Sequence, residues 1–182
     1  MPSQRTHGFT LVEVLVVGTI LGVVAATAAP YLRSVGAAST LAAFTDGFFT
    51  HLHLARSEAI KRRGPVVLCK SADGKACSLA GGWEQGWIVF GDADGDGMRD
   101  PEEPVLGRGV PLQPGFLLHG NLNVSRYVQF MPTGATKTSS GAFQAGTLTV
   151  CRASPERTEA RQIVINAVGR PRQHKLTLER CD

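Results

Sequence analysis

Charge is almost absent from one stretch of this 182-residue chain: from Phe9 to Ala29, 21 residues, the only charged side chain is Glu13. As a helix, a run of that length crosses about 30 Å of hydrocarbon. Histidine is scarce too, with five in all, one of them at position 7. No nucleophile, base and orienting group can be paired along the sequence, which argues against an enzyme. The four cysteines lack the close pair spacing of zinc ribbons, since neither Cys69 and Cys77 nor Cys151 and Cys181 are near neighbours. Zinc is therefore disfavoured. Large apolar residues are sparse between Pro132 and Gly146, which reads as a mobile loop.

What is present divides into a membrane-type leader and one modest domain. The cysteines all lie downstream of the apolar run, and in an exported chain they fit two disulfides in an oxidising compartment. Four cysteines allow three pairings, of which the sequence-local ones, Cys69 with Cys77 and Cys151 with Cys181, are favoured. Charge is segregated. Residues 71–104 hold eight acids against two bases, whereas residues 105–182 hold ten bases against four acids, within a net charge of +4. A basic C-terminal half suits a polyanionic partner, and it is also what a solvated surface looks like.

Along the chain, Pro30 should kink or interrupt the first helix. The helical pattern then resumes: Ala37, Leu41, Phe44, Phe48, Leu52, Ala55 and Ala59 recur at alternating fours and threes, lining one face of an amphipathic helix. Lys61, Arg62 and Arg63 suit its C-terminal end, before Gly64 and Pro65 stop it. His51 and His53 point to different faces and make a poor metal pair. Beyond Pro65, seven short strands are expected, at 66–70, 86–91, 115–119, 125–131, 147–152, 161–168 and 173–179. This pattern predicts an α+β fold in which a small antiparallel β domain covers the helix stripe. Trp83 and Trp87 read as packing residues.

Two constellations could carry chemistry. In DADGDGMRDPEE, Asp92, Asp94, Asp96, the Met98 carbonyl, Asp100 and Glu103 occupy positions 1, 3, 5, 7, 9 and 12, with Gly97 at the tight turn. That is the spacing of an EF-hand calcium loop, although a strand precedes it and prolines flank its last acids. Its alternative is an Asp- and Gly-rich hairpin turn that needs no cofactor. In GRPR, Gly169 allows a turn and Arg170 and Arg172 stand two apart, about 6.6 Å on an extended backbone, pointing the same way. Paired guanidinium forks suit two phosphates. Arg161 and Lys175, and beyond them Arg152 and Arg126, would widen the patch by charge.

The N-terminus has three readings. Arg5 with Ala26, Thr27 and Ala28 gives a signal-peptide outline, which Glu13 fits poorly. A plain membrane anchor would not require Glu13. The third rests on GFTLVE, Gly8 to Glu13, which resembles the class III signal of type IV prepilins and pseudopilins. The segments Ala55–Cys69, Gly81–Leu106 and QFMPTG (Gln129–Gly134) resemble FimT and GspH minor pilins, and GRPR resembles the DNA-binding signature of FimT proteins.

That resemblance implies a type IV pilin fold. Residues 1–8 would be a leader that prepilin peptidase removes after Gly8, with Phe9 becoming an N-methylphenylalanine. Residues 9–63 would form the pilin helix, with 9–29 transmembrane, and 64–182 a periplasmic β-rich domain. Glu13 would direct assembly by pairing with the N-terminal ammonium of a neighbouring pilin subunit. The protein would sit in the inner membrane as a single-pass minor pilin and then in a pilus at the cell surface. There it would bind double-stranded DNA through the phosphate backbone, at Gly169, Arg170, Arg172, Arg161 and Lys175, for uptake in natural transformation. The alternative is a structural minor pilin, or a type II secretion pseudopilin, that primes fibre assembly without DNA.

Overall fold

The computed structural model describes residues 10–182, apart from the side chains of 28–35. The leader and the Gly8–Phe9 processing site lie outside the described residues. Thr10 opens the first helix: its hydroxyl accepts a hydrogen bond from the Glu13 N–H at 3.2 Å, satisfying one of the amides a helix start leaves free. Helix α1 runs Leu11–Arg62. The interruption expected at Pro30 does not occur, because a proline costs a helix one backbone hydrogen bond and the chain on both sides remains helical. The chain divides into two compact units, Met1–Ser39 and Thr40–Asp182. Among the described residues no helix is long and apolar enough to cross a membrane. The apolar run 9–29 extends at both ends past the side chains the structure describes.

In the second unit the expected stripe of α1 is the buried one. Leu41, Phe48, Leu52, Ala55 and Ala59 are core residues, with Phe44 packed at the margin. Thr45, also buried, returns its hydroxyl to the Leu41 carbonyl at 2.7 Å. Arg62 is the last helical residue, and Arg63 rather than Gly64 takes the left-handed conformation that turns the chain (φ 56°).

Eight strands follow: β1 Val66–Lys70, β2 Trp87–Gly91, β3 Val105–Gly109, β4 Phe116–Gly120, β5 Tyr127–Phe130, β6 Gly146–Arg152, β7 Thr158–Ile165 and β8 Pro171–Leu178. They form two four-stranded sheets, ordered β3-β2-β1-β5 and β4-β6-β7-β8, with every pairing antiparallel. Both sheets send one face into the core that α1 shares. Phe48 sits edge-on to Trp83 and Trp87, with ring centres 5.2 and 4.8 Å away. Trp83 also donates from Nε1 to the Val124 carbonyl at 3.0 Å.

Strand β3 is the one the sequence did not announce. Its Gly107 and Gly109 give no alternation to read, and they are small because of what lies over them: a methyl group at position 109 would fall into the Trp87 ring. The outer face of the first sheet carries Val67, Cys69, Ile88 and Phe90. The outer face of the second carries Cys151 and Ala160, with Leu117, Leu176 and Leu178 beside them. Each outer side holds one disulfide, Cys69–Cys77 and Cys151–Cys181, with Cα atoms 5.6 and 6.2 Å apart.

Candidate functional site

The arginine pair is carried by the turn that joins β7 to β8. The Gly169 amide closes this turn on the Asn166 carbonyl at 2.8 Å, and the Arg170 amide bonds the Asn166 side-chain oxygen at 2.9 Å. Gly169 is needed twice over. Its φ of +73° is left-handed, and a methyl group there would collide with the Gly134 carbonyl. That same carbonyl accepts a hydrogen bond from Arg56 Nε of α1 at 3.0 Å, and the Thr136 amide reaches the Ala167 carbonyl at 3.2 Å. The turn thus packs on the 131–136 segment, which Arg56 ties to the helix. Pro171, buried and paired with Ile165, opens β8 toward the core. Alternation therefore sends Arg170 and Arg172 to the opposite side, where both are exposed and, among the described residues, neither forms an ion pair.

Strand register separates the other bases from this pair. Arg161 and Lys175 face one another across β7 and β8 in the row of Val150, on the side where Gln173 bonds Asp46 of α1 at 3.2 Å. Arg172 pairs with Val164 on the other side of the sheet. Arg152, opposite Phe116, also belongs to the helix side, and Arg126 lines a hollow beside the acidic loop with Asp96 and Gly97. What accompanies the arginines instead is a polar row across all four strands: His119, Thr149, Gln162 and His174, with Gln162 bonding the Thr149 hydroxyl at 3.3 Å. Such groups hydrogen-bond phosphate oxygens. No sequence motif marks them, because only the register puts them in one line.

The acidic loop follows β2 on the outer side of the first sheet. Asp92 is fully buried and receives the Gly95 and Gly97 amides at 3.0 and 3.1 Å. Asp94 and Asp96 receive the amides two residues on, at 3.3 and 2.6 Å. Burial pushes the Asp92 carboxyl up to about 6, helped by a hydrogen bond from Asp94 and the charge of Glu103, against the pull of the two glycine amides. Of the five acids with calcium-loop spacing, Asp92, Asp94 and Asp96 converge, with one oxygen of each lying within 4.8 Å of the others. Asp100 and Glu103 are not in that group. Glu103 ties the loop ends instead, accepting the Ala93 amide at 2.6 Å and the Asp100 amide at 3.0 Å. The 132–146 segment that borders the loop is anchored by the buried Gln144, whose amide bonds Asn123, Tyr127 and Gln129.

Comparison with known proteins agrees with this architecture. Residues 45–169 match the family model described as type II transport protein GspH, and residues 3–29 match the prokaryotic N-terminal methylation motif. The first match ends at Gly169, so Arg170 and Arg172 lie just beyond it. A sequence comparison with curated proteins finds no match. Among solved structures, the chain is similar to the type IV minor pilin FimU of Pseudomonas aeruginosa PAO1 in one crystal form, at a TM-score of 0.54 and 16% identity. That alignment covers 84% of this chain and all of FimU. A second crystal form gives the same score and identity over 78% of this chain. The minor pseudopilin EpsH of the Vibrio cholerae type 2 secretion system aligns at a TM-score of 0.48 and 15% identity, over 71% of this chain and 91% of EpsH. FimU shares the fold at an identity too low to carry more. A long N-terminal helix packed on antiparallel sheets, joined to the methylation motif, makes this a membrane-anchored protein of the minor pilin and pseudopilin type, and the chain belongs to the GspH family.

Proposed function

We propose that this minor pilin binds double-stranded DNA through Arg170 and Arg172 and serves DNA capture at the cell surface in natural transformation. One observation carries the reading: two exposed arginines, with no ion-pair partner among the described residues, follow Gly169 on a turn packed against the 131–136 segment that Arg56 ties to the helix. A turn whose backbone is already fixed loses less freedom when its arginines grip phosphate, and the planar guanidinium fork matches phosphate oxygens. The likeness of GRPR to the FimT signature supports the same assignment. Arg161 and Lys175 add to the long-range field from the other side of the sheet rather than to the contact surface.

Arginines on phosphates read no bases, so binding is independent of sequence and falls steeply with salt. Gel retardation by the full chain in detergent, across salt concentrations, tests this. Arg170→Ala with Arg172→Ala is expected to abolish retardation at low salt while the melting temperature stays put. Retention of binding in that double variant overturns the assignment.

The family description favours a second reading, a pseudopilin or structural minor pilin that primes a fibre through Glu13 and its neighbours. Cells lacking the protein would then lose secretion or pili, whereas the DNA reading has them lose transformation and keep their fibres.

A further inference from the structure

The acidic loop is left unexplained by the pilin reading, and its charge balance is unusual. Asp92 and Glu103 are both buried, Asp94 stands beside them, and none of the six acids from Asp92 to Glu103 forms an ion pair among the described residues. The bases beside the loop form no ion pair with it among the described residues. Arg99 spends its guanidinium on the carbonyls of Lys75, Pro101 and Glu103, while Lys137 and Arg126 line hollows with Asp94 and Asp96 without pairing to them. Buried carboxylates without a counter-charge are costly.

A second feature comes from outside the loop. Gln129 of β5, only 2% exposed, presses its amide against Asp92 and the Gly95 carbonyl: Nε2 lies 3.4 Å from Asp92 Oδ2 and 3.4 Å from the Gly95 oxygen. Both contacts are long, and the amide oxygen is buried with no hydrogen-bond partner. A half-turn of the amide exchanges its nitrogen and oxygen with almost no change of shape. It would put Oε1 where Nε2 stands, facing two other oxygens. That arrangement is repulsive unless a cation lies between them.

We propose that the Asp92–Asp96 turn is a calcium site, with carboxylate oxygens of Asp92, Asp94 and Asp96 and the Gln129 amide oxygen as its protein ligands. The 4.8 Å span of the three carboxylate oxygens suits one ion, since two ligands at about 2.3–2.6 Å from calcium lie at most about 5 Å apart. The donors are all oxygen, which selects a hard cation, and their irregular set suits calcium better than the strict octahedron of magnesium. This is half of an EF-hand loop. Glu103, bound to backbone amides, supplies structure rather than ligands, and Gln129 from a neighbouring strand takes up part of its role.

The full chain, stripped with chelator and held in detergent, is titrated with calcium chloride by calorimetry and with terbium by luminescence. The Tyr127 ring lies against Gly97, close enough to sensitise a lanthanide in the turn. Expected is one saturable site with Kd about 10⁻⁴–10⁻³ M, the range of extracellular calcium modules, with terbium emission that calcium displaces. Asp94→Asn with Asp96→Asn, both exposed positions, should weaken binding at least tenfold, and Gln129→Leu several-fold. Asp100→Asn should leave it unchanged. No heat up to about 10 mM calcium overturns the site, as does wild-type affinity in the double variant. An equal loss with Asp100→Asn also overturns it, as diffuse attraction to an acidic surface.

Discussion

The two sheets each carry a disulfide on the side away from α1 and end in a charged turn, and the turns are built in opposite senses. In the first sheet the turn is anchored by an inward acid: Asp92 is sealed under the loop while Asp94 and Asp96 stay exposed, and backbone amides aim at all three carboxylates. In the second the backbone is sealed and the charges point outward. Gly169 is buried while Arg170 and Arg172 are free in solvent. An inward acidic turn can only be completed by something small that enters it, whereas an outward basic turn can meet a partner of any size. Substitution should therefore disturb stability in the first case through the charged side chains, and in the second through the glycine beneath them.

The largest single losses belong to the disulfides. Cys151–Cys181 spans 30 residues and encloses the whole arginine turn, while Cys69–Cys77 spans 8. Loop-closure entropy makes the first worth about 3–4 kcal/mol and the second about 2–3 kcal/mol. Chemical denaturation of Cys151→Ser with Cys181→Ser against Cys69→Ser with Cys77→Ser should return that order. An inverted order would mean that the short bridge, beside the acidic loop, holds more structure than its length implies.

Next come the two glycines. Gly169→Ala meets both a left-handed φ and the Gly134 carbonyl, and should cost about 3 kcal/mol and weaken DNA retardation by displacing the turn. Gly95 in the acidic turn has a similar φ of +78°, but its nearest neighbour, Gln129 Nε2, is 3.8 Å from the added methyl. Gly95→Ala should therefore cost only about 1 kcal/mol, the strain of the backbone alone. Equal losses would show that packing against the 131–136 segment contributes nothing to the arginine turn.

The sequence exposes these regions unequally, for physical reasons. The α1 stripe from Leu41 to Ala59 was legible because burial against one face forces a 3.6-residue period. Strand β3 was hidden, since Gly107 and Gly109 are selected by what packs over them and leave no alternation behind. The acids of the loop were legible by spacing, but Glu103 turned inward to two amides that no spacing rule reveals. Gln129 could not be linked to them at all, because its place under Asp92 follows from the pairing of β5 with β1. Charge counting grouped Arg161 and Lys175 with Arg172, but Lys175 stands three residues from Arg172 on β8 with Arg161 opposite it, so alternation puts both on the other face.

The finest difference between the turns is their response to acid. The Asp92 carboxyl, raised by burial to about 6 from an ordinary value of 3.8, is harder to ionise folded than unfolded. Above about pH 6 the folded protein bears the full cost of that buried charge. As pH falls from about 6 to about 4, the folded state takes up a proton that the unfolded state does not, so stability rises. Below that both states are protonated and the gain stops. Asp73, held below its ordinary value by the Ala76 and Lys75 amides, works in the opposite direction and only at lower pH, where its stabilising charge is lost. Glu58, held low chiefly by Arg62, does the same. In chelator, calorimetric melting of the full chain should therefore climb by a few degrees between pH 6.5 and about 4.5 before it falls. Asp92→Asn, with nothing to protonate, should stay level across that window. Parallel profiles for the two proteins would mean that the charge of Asp92 is already compensated in the fold, and the inward turn would then be no less self-sufficient than the outward one.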